Sequence, residues 1–363
     1  MERTILTEVT AKNLLTYVSK RVYDKYYWQD LFPLKSWPFL SYEAIIGNKG
    51  APVAADVTAY DVSAPLKTRK VVSKIAGDIP AIRVKRSMTE SNINLYNIIK
   101  NGAAPDMDAV LSLIYDDVDF VVEAVLARME FLALRLISSG KILLDRTENA
   151  GIVTDTAVDY GASYTTGAAV IWSAAVDTTT PITDIDTIVR AGIALGVKYK
   201  YLLMDRQSWT YFRTSDETKK ALVPYTIAGV LDKRIKATIT LGMVNQALKD
   251  MEYPQIVVVD QSIVTETEDH DQVTQNPFYA GHICFLEDLP IGNMLHGPIA
   301  EETNPPKQVV QAKHGNVLVS KWRTVDPVVE WTKGESNVFP IWPLIDRCYL
   351  LDTLNASTWT DPT

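Results

Sequence analysis

The sequence has 363 residues, of which 47% are hydrophobic and 22% are charged, so its composition excludes a disordered chain and indicates a globular protein with a large core. Its 36 lysines and arginines against 44 aspartates and glutamates give a net charge of −8, which excludes a sequence-wide basic field for nucleic acid or anionic lipid. The two cysteines, Cys284 and Cys348, have no metal-type or redox-type spacing and are interpreted as buried thiols of a reducing compartment.

The first predicted element is an N-terminal arm, whose charged start, MERTILTEVTAKNLL, lacks the continuous apolar region of a secretory signal. One amphipathic helical stretch places Leu14, Val18 and Val22 on one side, and Pro33 and Pro38 then prevent a continuing helix. Residues 28–39, which include both prolines, form an extended strip of large apolar side chains that packs either on its own domain or on a neighbouring subunit. The aromatic residues predicted for an intersubunit contact are Trp28, Phe32, Trp37 and Phe39.

Residues 47–83 are predicted to form a long two-stranded excursion, because short β-prone pieces alternate there with Gly and Pro. An isolated ribbon of two strands is marginal in water, so this excursion is expected to lie on another surface or to flex, and the alternative is a hairpin folded over its own sheet. Both limbs carry charge. The charged residues predicted for an intersubunit contact are Asp56 and Asp61 on the outgoing limb and Lys67, Arg69, Lys70 and Lys74 on the returning limb.

A very long helix is predicted over about residues 106–139. Asp106 and Asp108 follow Pro105 at its start, where acidic groups suit the helix dipole, and Gly140 supplies its stop. At a rise of ~1.5 Å per residue the helix would run about 50 Å. Its apolar surface is too wide for a coiled-coil seam. The helix is therefore interpreted as a spine with sheets packed along more than one face.

After the spine, residues 183–320 are predicted to form a second compact domain with helices around a central sheet. A helix begins at Thr183 or Asp184, and a strand follows it and ends at Asp205, which caps the next helix. The segment TLGMVNQALKDME then predicts another helix, and PQIVVVD predicts a buried strand. Residues 321–363 are strand-rich and are expected to complete a sheet that begins elsewhere.

Motifs for chemistry are absent from the sequence: it has no Walker-type loop, no GxGxxG after a strand, no HExxH and no GxSxG. Asp116, Asp117 and Asp119 cluster on the predicted helix, but a solvated helix face is favoured over a divalent-ion site, and the histidines lack paired spacing. No catalytic residue, cofactor, metal or bilayer-spanning segment is predicted. Arms without an active site indicate a protein that uses them to contact copies of itself.

The order of these parts resembles the major capsid proteins of tailed phages, specifically the family typified by the phage lambda head protein, the major capsid protein E family. The similar segments are LLTYVSKRVY with the following LFP, the basic LKTRKVVSKIAGDIPAIRVKR, MDRQSWTYFRTSDETKKAL and TVDPVVEW. The residues that carry the similarity in the last two segments and beyond are Asp205, Trp209, Phe212, Arg213, Asp326, Pro327 and Glu330, followed by Ser336, Pro340 and Pro343.

The resemblance implies an α+β fold of the Hong Kong 97 type. Its parts would be an N-terminal arm (1–46), an E-loop (47–83), a P-domain with the spine helix (84–182), an A-domain (183–320), and return strands of the P-domain with a C-terminal tail (321–363). The helix over about 106–139 would then be the spine of the P-domain.

The resemblance also implies the function. The chain would be a structural subunit, not an enzyme, of an icosahedral or prolate phage head, assembled in the host cytoplasm into pentamers and hexamers around double-stranded DNA and found in the virion. A separate scaffolding protein is expected, because the chain starts at the arm without a long helical prelude; a portal protein, a decoration protein and DNA contacted without sequence preference are the other expected partners. The alternatives are the shell of an encapsulin-like compartment, or a soluble α/β enzyme with its pocket in residues 183–320.

Overall fold

The computed structural model describes residues 11–46, 73–101, 107–144, 149, 156–222, 239–267 and 271–361. The helices of this part of the chain are α1 (Ala11–Lys20), α2 (Trp28–Leu31), α3 (Glu90–Asn101), α4 (Met107–Ser139), α5 (Pro181–Ala194), α6 (Arg206–Thr214), α7 (Asp216–Leu222), α8 (Leu241–Asp250) and α9 (Ala300–Thr303). The strands up to residue 205 are β1 (Leu34–Ser36), β2 (Ser41–Ile46), β3 (Ser73–Asp78), β4 (Ala81–Met88), β5 (Lys141–Leu144), β6 (Thr156–Asp159), β7 (Thr165–Ala168) and β8 (Tyr201–Asp205). The later strands are β9 (Gln255–Val259), β10 (Ile263–Glu266), β11 (Gln272–Gln275), β12 (His282–Leu286), β13 (Asn293–His296), β14 (Val310–His314), β15 (Val317–Val325), β16 (Val328–Ile341) and β17 (Tyr349–Ala356).

The long helix α4 is where the sequence predicted it. It has 33 residues and ends at Ser139, because Gly140 adopts a φ of +74°, a left-handed conformation that a helix cannot continue through. A Cβ atom at Gly140 would also lie 2.9 Å from the Cβ of Ala162, so the turn has no room for another residue type.

The described residues form two compact units. The first contains those within 1–42, 76–130 and 293–341, and the second contains those within 43–75, 131–292 and 342–363. The division falls inside α4, after Glu130.

The first unit is built on a six-stranded sheet with the order β1-β13-β16-β15-β14, in which β4 also pairs with β16. Strand β16 is long enough to pair with three strands, with β15 and β4 along residues 328–337 and with β13 along residues 338–341. The spine lies directly on this strand at Gly334, where a Cβ atom would come within 2.6 Å of the carbonyl oxygen of Val121. Glycine is therefore the residue that lets α4 and β16 approach so closely.

The second unit is built on a five-stranded sheet with the order β7-β17-β12-β8-β9. Strands β8 and β9 are parallel, as expected for strands joined through helices, whereas β12 runs antiparallel to both β8 and β17. The predicted cap Asp205 is confirmed: its carboxylate accepts the backbone N–H of Gln207 at 2.9 Å at the start of α6. The core on this sheet is aromatic and aliphatic, and its largest members are Trp172, Tyr199, Trp209, Phe212 and Phe285.

Strand pairing crosses the predicted boundaries of the chain at several places, and two of them show the cause. Strands β13 and β14 fall within residues 183–320, but they belong to the sheet of the first unit. Strand β17 falls within residues 321–363, but it lies between β7 and β12 in the sheet of the second unit. Both differences arise from pairing between strands far apart in the chain, which hydrophobic alternation along one strand does not reveal.

Candidate assembly surfaces

Helix α1 of the predicted arm packs on its own unit, alongside β14. Leu14 and Val18 are fully buried, and the Nδ1 atom of His314 donates a hydrogen bond of 2.8 Å to the carbonyl oxygen of Val18. Val22, predicted on the same apolar side, lies beyond the end of α1 and is exposed. The helical part of the arm therefore has its partners within its own molecule.

Asp119 on α4 gathers the polar side chains of the arm. Its carboxylate accepts from the hydroxyl of Tyr17 at 2.7 Å and from that of Tyr23 at 3.1 Å, and it lies 3.2 Å from the Nε of Arg21. Burial, together with the hydrogen bond to Asp119, raises the pKa of Tyr17 to about 12, so this phenol remains a donor at neutral pH. Asp119 thus binds the arm, and it is not part of the solvated helix face that the sequence predicted.

Glu130 on α4 fixes the next segment of the arm. Its side chain is fully buried and accepts the backbone N–H groups of Tyr27 and Trp28 at 3.0 and 2.8 Å, at the start of α2. Burial raises the pKa of Glu130 to about 7, although the two hydrogen bonds act in the opposite direction. The arm is therefore held by a carboxyl group that titrates close to neutral pH.

Trp28 and Phe32, which the sequence predicted for an intersubunit contact, lie inside their own subunit. These side chains are 3% and 0% exposed, so the packing of their own subunit already buries them. The sequence suggested an irregular strip with no inner side, but the short helix α2 turns Trp28, Leu31 and Phe32 inward together. Their contribution is to the stability of the subunit.

Trp37 and Phe39, by contrast, belong to a strip that remains at the surface. Phe39 is 61% exposed and Leu40 is 52% exposed, and Leu34 is exposed as well. Trp37 packs edge-on against Phe39 with 6.2 Å between ring centroids, and its indole N–H donates to the carbonyl oxygen of Ser41 at 2.9 Å, so the strip is held in a defined shape. Leu34, Trp37, Phe39 and Leu40 together form the arm patch.

Strands β2 and β3 pair as the base of the predicted E-loop. Tyr42 anchors this base: its ring stacks on Phe339 with 5.1 Å between centroids, and Gly77 lies so close that a Cβ atom there would be 2.8 Å from the Tyr42 hydroxyl. Lys74, a predicted contact residue, forms an ion pair with Glu43, and both side chains are more than half exposed. The predicted contact residues Asp56, Asp61, Lys67, Arg69 and Lys70 lie outside the described residues.

The basic segment that ends the predicted E-loop is strand β4, whose first residues already pair with β16. Arg83 lies opposite Glu335 and contacts its carboxylate at 2.7 Å, and Lys333 contacts the same carboxylate at 2.8 Å. Burial alone would raise the pKa of Glu335, but the hydrogen bonds from Lys333 and Arg83 hold it below its usual value. Lys333 also contacts Glu301 at 2.5 Å, so Arg83 and Lys333 are both paired with acidic side chains of their own subunit.

Lys321 on β15 is a fully buried lysine in the same unit. Its Nζ donates to the Thr332 hydroxyl at 3.0 Å, and burial lowers its pKa, while the nearby carboxylates of Glu330 and Asp117 oppose that shift. Asp117 in turn is 3.3 Å from the Nε of Arg86 on β4. Glu330, one of the residues that carried the family resemblance, is thus part of a buried charge group between the sheet and the spine. Sequence reasoning missed this group because its members come from four elements, β4, α4, β15 and β16.

The remaining polar groups of the described chain do not converge on a site for chemistry. No group of three or more His, Cys, Asp or Glu side chains that could hold a metal ion occurs in the described residues. His282 and His314 each contact a main-chain carbonyl oxygen, through Nδ1 at 2.7 Å to Ser138 and at 2.8 Å to Val18, which is a structural role. Within the same part of the chain, no helix has the length and apolarity needed to cross a membrane.

Comparison with known proteins gives a family match over most of the chain. The family model described as phage major capsid protein E matches residues 12–350. No curated protein matches the sequence.

Two solved structures share the fold at low sequence identity. A phage-related protein from Bordetella bronchiseptica RB50 is 13% identical, with 94% of this chain and 96% of that chain covered and a TM-score of 0.54. A prophage capsid protein from Escherichia coli CFT073 is also 13% identical, with 94% of each chain covered and a TM-score of 0.50.

Proposed function

The chain belongs to the phage major capsid protein E family and is a structural subunit of a phage head, and we propose that it closes this shell as pentamers and hexamers through its arm patch and E-loop. Its fold is the α+β fold of the Hong Kong 97 type that the sequence predicted. The family assigns it to the phage head and not to an encapsulin-like compartment or an α/β enzyme, and a shell subunit needs no catalytic site.

The observation that carries the proposed mode of assembly is the contrast within the arm. Leu14, Val18, Trp28 and Phe32 are buried by the subunit itself, whereas the arm patch that follows them is exposed and held in shape by the Trp37–Ser41 hydrogen bond. An apolar strip of this kind, next to a charged two-stranded base, is suited to bind another copy of the chain. In a closed shell each such contact can be modest, because many form together.

The other components of the particle are also part of the proposal. A separate scaffolding protein would guide closure, a portal protein would occupy one vertex, and a decoration protein would bind the outer surface. Packaged DNA would be contacted without sequence preference, which the net charge of −8 supports because such a subunit does not clamp phosphates. We also propose that the shell assembles in the host cytoplasm as a procapsid and then matures.

Electron microscopy of particles made by the full-length chain together with its genomic neighbours tests this proposal. We expect closed shells in which the subunits cluster around five-fold and six-fold positions, with the arm patch covered by an adjacent copy. Small open oligomers, or closed shells in which the arm patch faces solvent, would contradict the proposed contacts.

A further inference from the structure

The two cysteines of the chain, distant in sequence, are neighbours in the second unit. Cys284 lies on β12 directly opposite Leu350 of β17, and Cys348 precedes that residue by two positions with an extended backbone (φ −97°, ψ 163°). Alternate residues of an extended chain point to the same face of a sheet, so Cys348 and Cys284 lie on one face as diagonal neighbours.

Their side chains meet. The Cys284 thiol is close enough to the Cys348 thiol for the two to interact, and both residues are buried, free cysteines. The hydroxyl of Tyr199 lies near both sulfurs, is itself buried, and has no hydrogen-bond partner among the described residues. The pair therefore occupies an apolar, closed site.

This environment keeps the reduced pair inert. Burial raises the pKa of Cys284 well above its usual value, and the thiol is the form that does not react with oxidants. Oxidation at neutral pH would therefore be slow and would require local opening of the strands. A pair of adjacent thiols has an advantage once one of them reacts, because the second is already in place to displace the leaving group.

We propose that Cys284 and Cys348 are a latent disulfide site that joins β12 to the start of β17. Both S–H bonds are lost and one S–S bond forms, while two electrons and two protons pass to a disulfide oxidant such as oxidised glutathione, which becomes two glutathione thiols. On the proposed function, this step would follow release of the particle from the reducing interior of the cell, but the chemistry of the pair does not depend on that function.

The bond would close a loop of about 65 residues and restrict the unfolded chain, which stabilises the folded unit. By thermodynamic linkage, the factor by which folding favours the disulfide equals the factor by which the disulfide favours folding. The same inference can therefore be tested from a redox equilibrium and from a thermal transition.

The experiment incubates the full-length protein in glutathione buffers of graded redox ratio at pH 8, with and without denaturing urea. Free thiols are then trapped, and the linked peptides are identified by mass spectrometry. We expect a single bond between Cys284 and Cys348 within one chain, favoured about tenfold or more by the folded protein over the urea-denatured chain. The oxidised protein should unfold about 5 °C above the reduced protein.

The control is Cys348→Ala, with Cys284→Ala as its reciprocal. Each variant is compared with its own reduced form, so that any cost of the substitution cancels, and neither should gain thermal stability in oxidising buffer. A disulfide favoured less by the folded protein than by the denatured chain, a lower unfolding temperature after oxidation, or a bond that joins two chains would overturn the inference.

Discussion

At Glu130, a single buried carboxyl group holds the arm to the spine. It accepts two backbone N–H groups of the arm, so it replaces the water that these groups would bind in an unfolded chain. Removing a carboxylate from water is costly, and burial has raised the pKa of this group to about 7. The attachment of the arm is thus linked to protonation near neutral pH.

The first prediction concerns this pH dependence. The folded-state pKa of Glu130 lies above its unfolded value of 4.5, so its contribution to stability is fully present below pH 4.5 and is lost as pH rises through about 7. The shift corresponds to a change of about 3 kcal/mol in the free energy of unfolding over that window. Glu130→Gln, which is neutral at all pH values, should show a smaller gain in unfolding temperature than the wild type between pH 8 and pH 5.

Asp116→Asn is the matched control, because it removes an exposed carboxylate from the same helix. It should keep the wild-type dependence on pH. An unchanged dependence in Glu130→Gln would show that other groups dominate this pH range.

Gly334 is the second residue whose environment makes a sharp prediction. A Cβ atom there would meet the backbone and side chain of Val121 at 2.6 and 3.0 Å, and backbone cannot move aside as a flexible side chain can. Gly334→Ala should therefore lower the free energy of unfolding by about 3 kcal/mol. Denaturant unfolding of the unassembled subunit measures this loss of stability.

Gly242→Ala provides the comparison for this substitution. Gly242 lies in α8, and apart from its own helix backbone and chain neighbours no atom of the described residues lies within 4 Å of the position of a Cβ, so alanine should be neutral or stabilise by up to about 0.5 kcal/mol. Equal effects of the two substitutions would mean that the contact between Gly334 and Val121 is not close.

At the scale of elements, the arm divides into an inner and an outer part. Helices α1 and α2 are bound by their own unit through Val18, Trp28 and Phe32, and the arm patch that follows has no such cover among the described residues. The two parts have different roles, because a buried aromatic side chain stabilises the folded subunit and an exposed one can stabilise association with another subunit.

The third prediction separates these roles with two substitutions in the same arm. Phe39→Ser should leave the unfolding temperature of the subunit nearly unchanged and should reduce shell yield at least tenfold, because it removes an exposed aromatic group from the proposed interface. Trp28→Ala should instead lower the free energy of unfolding by about 3–5 kcal/mol, since it empties a buried site.

Thermal unfolding together with particle counts by electron microscopy checks both variants. Normal shell yield from a folded Phe39→Ser subunit would remove the arm patch from the proposed interface. A Trp28→Ala subunit as stable as the wild type would contradict the intramolecular role of Trp28.

For the molecule as a whole, charge bears on how copies of the chain meet. Ion pairs such as Arg83–Glu335 and Lys333–Glu301 match basic charge on the first sheet, while the net charge of the chain stays at −8. Net repulsion between copies slows indiscriminate association, so specific contacts must determine the shell.

The fourth prediction follows for assembly as a whole. Because single contacts are weak and copies repel, the chain expressed alone should give few shells of uniform diameter, and co-expression with its scaffolding neighbour should raise their share severalfold. The distribution of particle diameters in electron micrographs measures this effect. Efficient formation of uniform shells by the chain alone, at the same expression level, would show that no separate scaffold is needed.

The sequence by itself determined the elements that depend on neighbouring residues. The spine was predicted over about 106–139 and is observed over Met107–Ser139, because apolar periodicity and the stop at Gly140 are both local. The cap at Asp205 and the helix α8 are local in the same sense. The family resemblance was also present in the sequence, in short segments that lie in the same order as in the family.

Only the tertiary structure decided which distant segments meet. It placed β17 in the sheet of the second unit, brought Cys348 next to Cys284, and buried Trp28 in its own unit. It also buried Glu130 beneath the arm, which gave an ordinary helix residue a pKa of about 7. Pairing, burial and desolvation depend on what the fold brings into contact, and a linear pattern of residues carries no measure of these distances.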